Sequence, residues 1–505
     1  LAHHSLIFSV AAGSSIFRGT GSHRIATFLR DHDWDVEVCD FAVSWPLLSL
    51  KEFVRSRVTP ETVFFGFSTF FNYWTPGMSE FTLWLKQTYP NIKIVLGGQS
   101  VGRTEAEHID YWIDSFGEYA ILELVKSLIG NGGKIRFDFE HMGSKKLIKS
   151  ISSYPAYPLA SYKVIMEKRD FLEPYEWPTT EFSRGCRFKC NFCNFPILGV
   201  KDDHSRTQED FIYNMQYNYD NFGIKNYYVA DETFNDSREK IKKFADAAEQ
   251  LSFRPYFSGF MRADLMLTQP EQLEHLVRLN FGGHYYGIET MNHKSAKIVG
   301  KGMHPDRIKQ GLIDAKKYLS DHIPYRGTIS LIWGLPHETK DTLKETEKWL
   351  HENWIDQGLV VFPLSVEDPV GPNLKNQTNI SDFGKNMTKY GLRKMDKGTY
   401  SGSDDEWDYR WRMGNYAADE MIWEHDTMNI FDAYESAVKI QDDSVKLFKV
   451  DNWALGSPSF NAQEDIGLGK DTLSLTKMAG LPQKHIVRKF VDSYILKKLN
   501  WKPEK

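Results

Sequence analysis

Cysteine is scarce in this sequence, with four residues in 505, and three of those four stand at 186, 190 and 193. So small a supply excludes a disulfide scaffold and leaves Cys39 without a thiol neighbour in sequence. Long apolar runs are also missing. The longest, such as Thr62–Thr69 and Thr328–Gly334, fall well short of the roughly 20 residues of a membrane-spanning helix, so no bilayer span is expected. Excess charge of either sign is absent too: 62 Lys and Arg face 67 Asp and Glu, for a net charge of −5. This lacks the basic surplus of non-specific nucleic-acid binding. The first residues, starting at Leu1, show no basic region followed by a long apolar core and cleavage site. The expected location is cytoplasmic.

The 41% hydrophobic content is enough for real cores, and the length allows two to four domains. Over residues 1–130, β-rich apolar runs alternate with amphipathic segments. Strands are expected at Ser5–Val10, Asp35–Cys39, Thr62–Ser68, Ile92–Leu96 and Trp112–Phe116, with helices at Ser22–Asp31, Gly77–Tyr89 and Glu118–Ile129. Because the strands are continuously apolar, they predict a doubly wound, Rossmann-like parallel sheet covered on both faces. Residues 131–178, with Gly-Gly and Tyr154-Pro-Ala-Tyr-Pro158, are expected to be a linker or strap. A second series begins at Thr179. Its strands fall at Thr179–Ser183, Asn226–Ala230, Tyr256–Phe260, His284–Ile288, Thr328–Trp333 and Leu359–Pro363, as in a partial (β/α)6 barrel with its chemistry at the carboxyl ends of the strands. This α/β unit spans 179–370. Residues 371–505, with Trp407, Tyr409, Trp411, Tyr416 and Trp423, are expected to be mainly helical, those aromatics serving either as core or as a cover for the barrel mouth.

The segment Phe182-Ser-Arg-Gly-Cys186-Arg-Phe-Lys-Cys190-Asn-Phe-Cys193 follows a strand and turns at Gly185, so three thiols share one short loop. Three thiolates can hold three irons of a [4Fe-4S] cluster and leave the fourth open. A structural zinc would want a fourth ligand, for which His204 is the nearby candidate.

This loop resembles that of the radical S-adenosylmethionine (SAM) superfamily, including the aromatic, Phe192, before the third cysteine. The resemblance extends over 179–370. Ala230-Asp-Glu-Thr-Phe234 is similar to the family's acidic motif for the SAM amino group, which implies Glu232 as first candidate and Asp231 as second, a helix cap being the alternative for Asp231. Met261-Arg262-Ala-Asp264 places Arg262 where relatives contact the SAM carboxylate or ribose, against a structural ion pair. Tyr286-Gly-Ile-Glu289-Thr290 followed by Val299-Gly-Lys301-Gly302 implies Glu289 at the ribose hydroxyls and a structural Lys301. Leu331-Ile-Trp-Gly334-Leu-Pro-His-Glu338-Thr339 implies Ile332 on the adenine and Gly334 as the residue that lets backbone approach it. The resemblance further implies cleavage of SAM at the cluster to a 5'-deoxyadenosyl radical, and an electron donor such as flavodoxin or ferredoxin. With Cys39 alone left over, a second cysteine-ligated cluster is excluded.

A doubly wound domain ahead of such a barrel resembles the B12-binding-domain-containing, cobalamin-dependent class. Ser68 and Thr69, Gly97 and Gly98, and Gly117 and Glu118, all at strand ends, are the implied cobalamin contacts. The class's Asp-x-His-x-x-Gly signature is missing; His23 lacks both its Asp and its Gly. His23 is expected to be exposed or capping, and no lower axial ligand is assigned. The resulting expectation is an enzyme, a cobalamin-dependent methyltransferase working on an unactivated carbon of a small molecule. The alternatives are radical SAM oxidation, ring contraction or rearrangement without methyl transfer, and a non-enzymatic metal-binding regulatory protein.

Overall fold

The computed structural model describes residues 3–10, 18–69, 74–98, 106–114, 116–135, 146–149, 163–193, 204–366, 381–395, 422–448 and 483–502. The chain divides into two compact units. One comprises Leu1–Thr180, Glu209–Asn226 and Leu473–Lys505; the other comprises Glu181–Gln208 and Tyr227–Thr472.

The first unit is built on six strands: β1 (His4–Val10), β2 (Asp35–Cys39), β3 (Thr62–Thr69), β4 (Lys93–Gly98), β5 (Tyr111–Asp114) and β6 (Leu147–Lys149). They lie in the order β2-β1-β3-β4-β5-β6, and every pairing is parallel. Both faces of the sheet are covered. Leu6, Phe8 and Val10 of β1 enter one core while Ile7 enters the other, and Phe65 and Phe67 of β3 are separated from Phe64 in the same way. The continuous apolar runs are thus two interleaved sets of alternate residues, each with its own core. Helices α1 (Thr20–Arg30), α2 (Leu47–Arg57), α3 (Pro76–Thr88) and α4 (Glu118–Leu128) supply the layers. The start of α3 is set by Thr75, whose hydroxyl accepts from the Met78 N–H, and by Pro76 in the first turn.

A chain of buried charges ties this unit together. Arg18 donates to Glu176 at 2.6 Å, to Asp40 at 2.7 Å and to the Asp170 carbonyl at 2.7 Å. His23 is fully buried, with Nε2 2.9 Å from Asp40, so the expectation of an exposed or capping histidine is corrected. Burial works against ionisation of Asp40, but His23 and Arg18 hold its carboxyl well below the usual range. Lys498 lies 2.9 Å from Glu37, which also accepts from Arg57 at 3.1 Å.

Lys498 belongs to the helix Gln483–Asn500, which the expected boundaries assigned to the C-terminal region. In the structure it completes the first unit, because Val491, Tyr494 and Ile495 close the core formed by Phe8, Phe53 and Trp45, and the Tyr494 hydroxyl accepts from the Asp40 N–H at 3.0 Å. Residues 163–178 belong to this unit as well. Val164, Met166, Leu172 and Trp177 are buried, so this part of the expected strap is packed structure.

The second sheet has the order β14-β13-β12-β11-β10-β7, in which β7 is Thr179–Thr180, β10 Asn226–Val229, β11 Tyr256–Met261, β12 Phe281–Glu289, β13 Arg326–Trp333 and β14 Gly358–Pro363. β11 to β14 are parallel, with helices between them, as in a partial barrel. The first expected strand is interrupted. Chain leaves the sheet after Thr180, and Ser183–Arg184 (β8) pairs antiparallel with His204–Ser205 (β9). Among the described residues beyond Gly371, the helix Ile430–Phe448 accords with the helical character expected there, while an antiparallel sheet of β15 (Arg393–Lys394), β16 (Trp423–His425) and β17 (Met428–Asn429) was not expected. Trp407, Tyr409, Trp411 and Tyr416 lie outside the described residues. No described helix is long and apolar enough to cross a membrane.

Phe8 is wholly buried and meets the rings of Phe53, Phe67 and Phe81. Replacement by alanine removes a buried ring that three other rings contact. The expected loss is about 3–5 kcal/mol, read as a lower urea midpoint at unchanged m.

Candidate metal and cofactor site

The cysteine loop is rooted before its first cysteine. The Phe182 ring is fully buried among Phe234, Phe244 and Phe257, at centroid distances of 5.2, 4.5 and 5.2 Å. Directly above it, Asp231 accepts from the N–H groups of Phe182 and Ser183 at 2.7 and 2.8 Å and from the Ser183 hydroxyl at 2.7 Å. Lys240 donates to Ser183 Oγ at 2.8 Å and pairs with Asp236 at 2.6 Å. Burial drives the Asp231 carboxyl up to about 7 against the pull of Lys240 and of its hydrogen-bond donors. Asp231, expected as second candidate for the SAM amino group, is therefore spent on the loop itself. Its helix-cap alternative fails as well, since the helix Arg238–Ala248 is capped by Ser237.

Beyond this root the chain bends at Gly185 (φ +100°), whose N–H donates to Glu232 at 3.3 Å. Glu232 is half-buried, and burial raises its carboxyl. The far side of the loop is held as firmly. Asn191 donates from its side chain to the Ile298 carbonyl at 2.6 Å and from its backbone to Val299 at 3.3 Å, and its carbonyl accepts from the Phe383 N–H at 3.1 Å. The Cys193 N–H donates to Cys190 at 3.0 Å.

All three cysteines are half-buried. Cys186 Sγ lies 3.4 Å from Thr233 Oγ1, and Arg262 Nη1 donates to Cys190 Sγ at 3.6 Å. Among the described residues no three His, Cys, Asp or Glu side chains form a ready-made metal cage. The donor set, three thiols on a braced loop with polar neighbours for two sulfurs, fits a cysteine-ligated cluster. Phe192 is half-buried between the second and third cysteines. His204, the candidate fourth zinc ligand, pairs through its backbone with Arg184.

The remaining expected SAM contacts are distributed along the carboxyl ends of the strands. Arg262 follows β11 and is clasped by Asp264, at 3.1 Å from Nε and 2.6 Å from Nη2. Glu289 ends β12 after a bulge, with φ +68°. Burial raises its carboxyl, and Lys301, 3.5 Å away, opposes that rise. Lys301 also donates to the Gly287 carbonyl at 2.7 Å. A narrow cleft nearby is lined by Asp264, Gly287, Ile288, Thr290, Lys301 and Met303.

Ile332 is half-buried on β13 beside Phe362 of β14. Beside the expected approach of the adenine, the local packing gives Gly334 its own reason to be glycine. It sits at φ +92°, and a Cβ there would meet the Trp423 ring at 2.4 Å and Ala433 at 2.8 Å. The close neighbour is thus Trp423, fully buried and donating to the Leu364 carbonyl at 2.7 Å. Glu338, which the motif reading left without a role, organises this turn. It accepts from the Gly334 and Leu335 N–H groups at 2.9 and 3.1 Å and from Thr290 at 2.6 Å.

In the first unit, the expected cobalamin contacts separate into open and committed positions. Ser68, Gly97 and Gly98 are half-exposed at the carboxyl ends of β3 and β4. Thr69 is buried and donates to the Gly97 carbonyl at 3.2 Å; a Cβ on Gly98 would lie 2.2 Å from the Thr69 carbonyl oxygen. Gly117 packs toward Ile113 and Ile25, and Glu118 is buried 3.3 Å from Arg24. His23, wholly buried against Asp40, is committed in the same way.

Two expected outcomes follow from these carboxylates. Asp231→Ala leaves three donors of the loop root without their acceptor, so about 2 kcal/mol of stability should be lost, together with iron retention after reconstitution. Glu338 is raised by burial from 4.5 to about 7. Its contribution is therefore complete below about pH 4.5 and is lost as pH rises through about 7. In Glu338→Gln, the fall in unfolding free energy between pH 5 and 7.5 should become shallower by about one proton, Asp231 keeping its own share. Urea titrations across that range measure it.

Residues 180–350 match the radical SAM superfamily. An uncharacterised methyltransferase of Pyrococcus horikoshii is 23% identical over 288 residues, covering 54% of this chain and 60% of that protein. The anaerobic magnesium-protoporphyrin IX monomethyl ester cyclase of Synechocystis is 24% identical over 45% of this chain and 48% of its own length. The chain thus spans about half to three-fifths of these curated relatives. Among solved structures, the radical SAM methyltransferase TsrM of Kitasatospora setae, with cobalamin and a [4Fe-4S] cluster bound, aligns over 99% of both chains with TM-score 0.62 and 13% identity. The cobalamin-dependent SAM radical enzyme OxsB aligns over 99% of this chain and 85% of that one, with TM-score 0.57 and 14% identity. The protein carries a match to the radical SAM superfamily at residues 180–350, and its fold is similar to those of TsrM and OxsB.

Proposed function

We propose that this protein is a cobalamin-dependent radical SAM methyltransferase acting on an unactivated carbon of a small molecule. The observation that carries the reading is the cysteine loop, which offers three thiols and is braced from Asp231 on one side and from Ile298 and Val299 on the other. When bound, the cluster supplies the electron that splits SAM into methionine and a 5'-deoxyadenosyl radical, and cobalamin supplies the methyl group that replaces the hydrogen abstracted from substrate.

The chain's own part is holding and orienting. Cys186, Cys190 and Cys193 would ligate three irons. Glu232, half-buried and accepting from the Gly185 N–H, would accept from the SAM amino group. Glu289, kept close to Lys301, would accept from the ribose hydroxyls, and Ile332 would lie under the adenine. In the first unit Ser68, Gly97 and Gly98 are the open positions at which a nucleotide tail or corrin edge could approach the sheet. His23, buried and paired with Asp40, would take no part in holding cobalamin. An external one-electron donor such as flavodoxin or ferredoxin completes the set, in a reducing, cytoplasmic setting where the thiols stay available.

The experiment is anaerobic reconstitution with iron, sulfide and cobalamin, followed by SAM and reductant. The expected results are retained cobalamin, 5'-deoxyadenosine formation, and loss of both iron and turnover in the Cys186→Ala, Cys190→Ala and Cys193→Ala proteins. Production of 5'-deoxyadenosine by protein that never retains cobalamin would replace methyl transfer with another radical outcome. No 5'-deoxyadenosine at all would sink the enzymatic reading.

A further inference from the structure

The side chain of Arg262 lies within a cage made wholly of this domain. Asp264 takes Nε and Nη2 in a two-point clasp at 3.1 and 2.6 Å. The guanidinium carbon stands 3.8 Å from the centroid of the Phe188 ring, close enough for a cation–π contact. Phe188 is itself a residue of the cysteine loop, between Cys186 and Cys190. The remaining end nitrogen, Nη1, donates to Cys190 Sγ at 3.6 Å. Only 8% of Arg262 is exposed, so its charge is screened weakly by water.

Three N–H groups of the guanidinium are therefore committed, two to a carboxylate and one to sulfur. A planar fork held at one edge and stacked on a ring has little freedom to turn elsewhere. We propose that Arg262 is the electrostatic partner of Cys190, setting the reduction potential of the cluster, and that Asp264 is the positioning residue that keeps it there. This rests on the cluster assignment made above and goes beyond the expected contact of Arg262 with SAM. Reduction adds a negative charge to the cluster and its thiolates. A fixed cation donating to one thiolate favours the reduced form and raises the potential. The potential in turn decides what fraction of the protein holds the electron that SAM cleavage requires.

The test is an EPR-monitored redox titration of reconstituted protein, with iron and sulfide contents matched to the unsubstituted chain. In Arg262→Met, the ratio of reduced to oxidised cluster at the unsubstituted protein's midpoint should fall about tenfold, the effect of losing one charge-assisted hydrogen bond. Arg262→Lys keeps the charge without the fork and should fall between the two; it also serves if the methionine variant does not assemble a cluster. Asp264→Asn separates positioning from charge. Loss of the clasp lowers the potential, whereas mere removal of a nearby negative charge raises it. A rise in Asp264→Asn overturns the positioning role, and an unchanged potential in both Arg262 variants overturns the proposal as a whole. Failure of the unsubstituted protein to assemble a four-iron cluster would overturn the cluster assignment and this inference with it.

Discussion

Everything proposed for the second unit depends on one buried carboxylate. Asp231 lies just beyond β10, and its two oxygens collect two backbone N–H groups and a hydroxyl from Phe182 and Ser183. A desolvated acid is costly, and the cost shows in its carboxyl being driven up to about 7. What offsets it is geometric. The start of the cysteine loop is fixed at a strand end, while the Phe182 side chain is sunk into the aromatic core below. Asn191 fixes the other limb. A loop with both limbs tied presents its thiols at little further entropic cost, which is the preorganisation a metal site needs.

The first unit is held by a different kind of interaction, an interior chain of ions. Arg18, Asp40, Glu176, Glu37, Arg57 and Lys498 are all buried, and each has an opposite charge within about a hydrogen bond. Such pairs add little net stability over an apolar core, but removing one member strands its partner, which is heavily penalised. They act as a key: the segments bearing them fit together in one arrangement. His23 is part of that key, which is why it is not at the surface.

The repeating parts of the fold were legible in the sequence. Continuous apolar runs bounded by polar turns placed all five expected strands and all three expected helices of the first unit within a few residues, because two-sided burial writes itself into consecutive positions. The short β6 and helix α2 carried too weak a pattern. The helix Gln483–Asn500 could be neither paired with nor assigned to the first unit, since nothing local records a contact between residues 40 and 494. The same limit governed the site. Spacing placed the three cysteines on one loop, but not that Asp231 would be turned inward to brace it. Gly334 was marked as a close approach, but its packing against Trp423 depends on chain 89 residues away. Lys240 gave no signal and Glu338 stood in a recognisable motif without a role, because a supporting residue is chosen for its reach in space.

The placement of helix Gln483–Asn500 also bears on how the molecule comes into being. Tyr494 and Asp40 are 454 positions apart, and the whole of the second unit is synthesised between them. At ribosomal speeds that interval is on the order of tens of seconds. Throughout it, the face of the first sheet formed by Phe8, Phe53 and Trp45 lacks its cover, and Glu37 lacks its lysine. The unit that starts first is thus finished last, and the nascent chain must protect an apolar surface while the second unit folds.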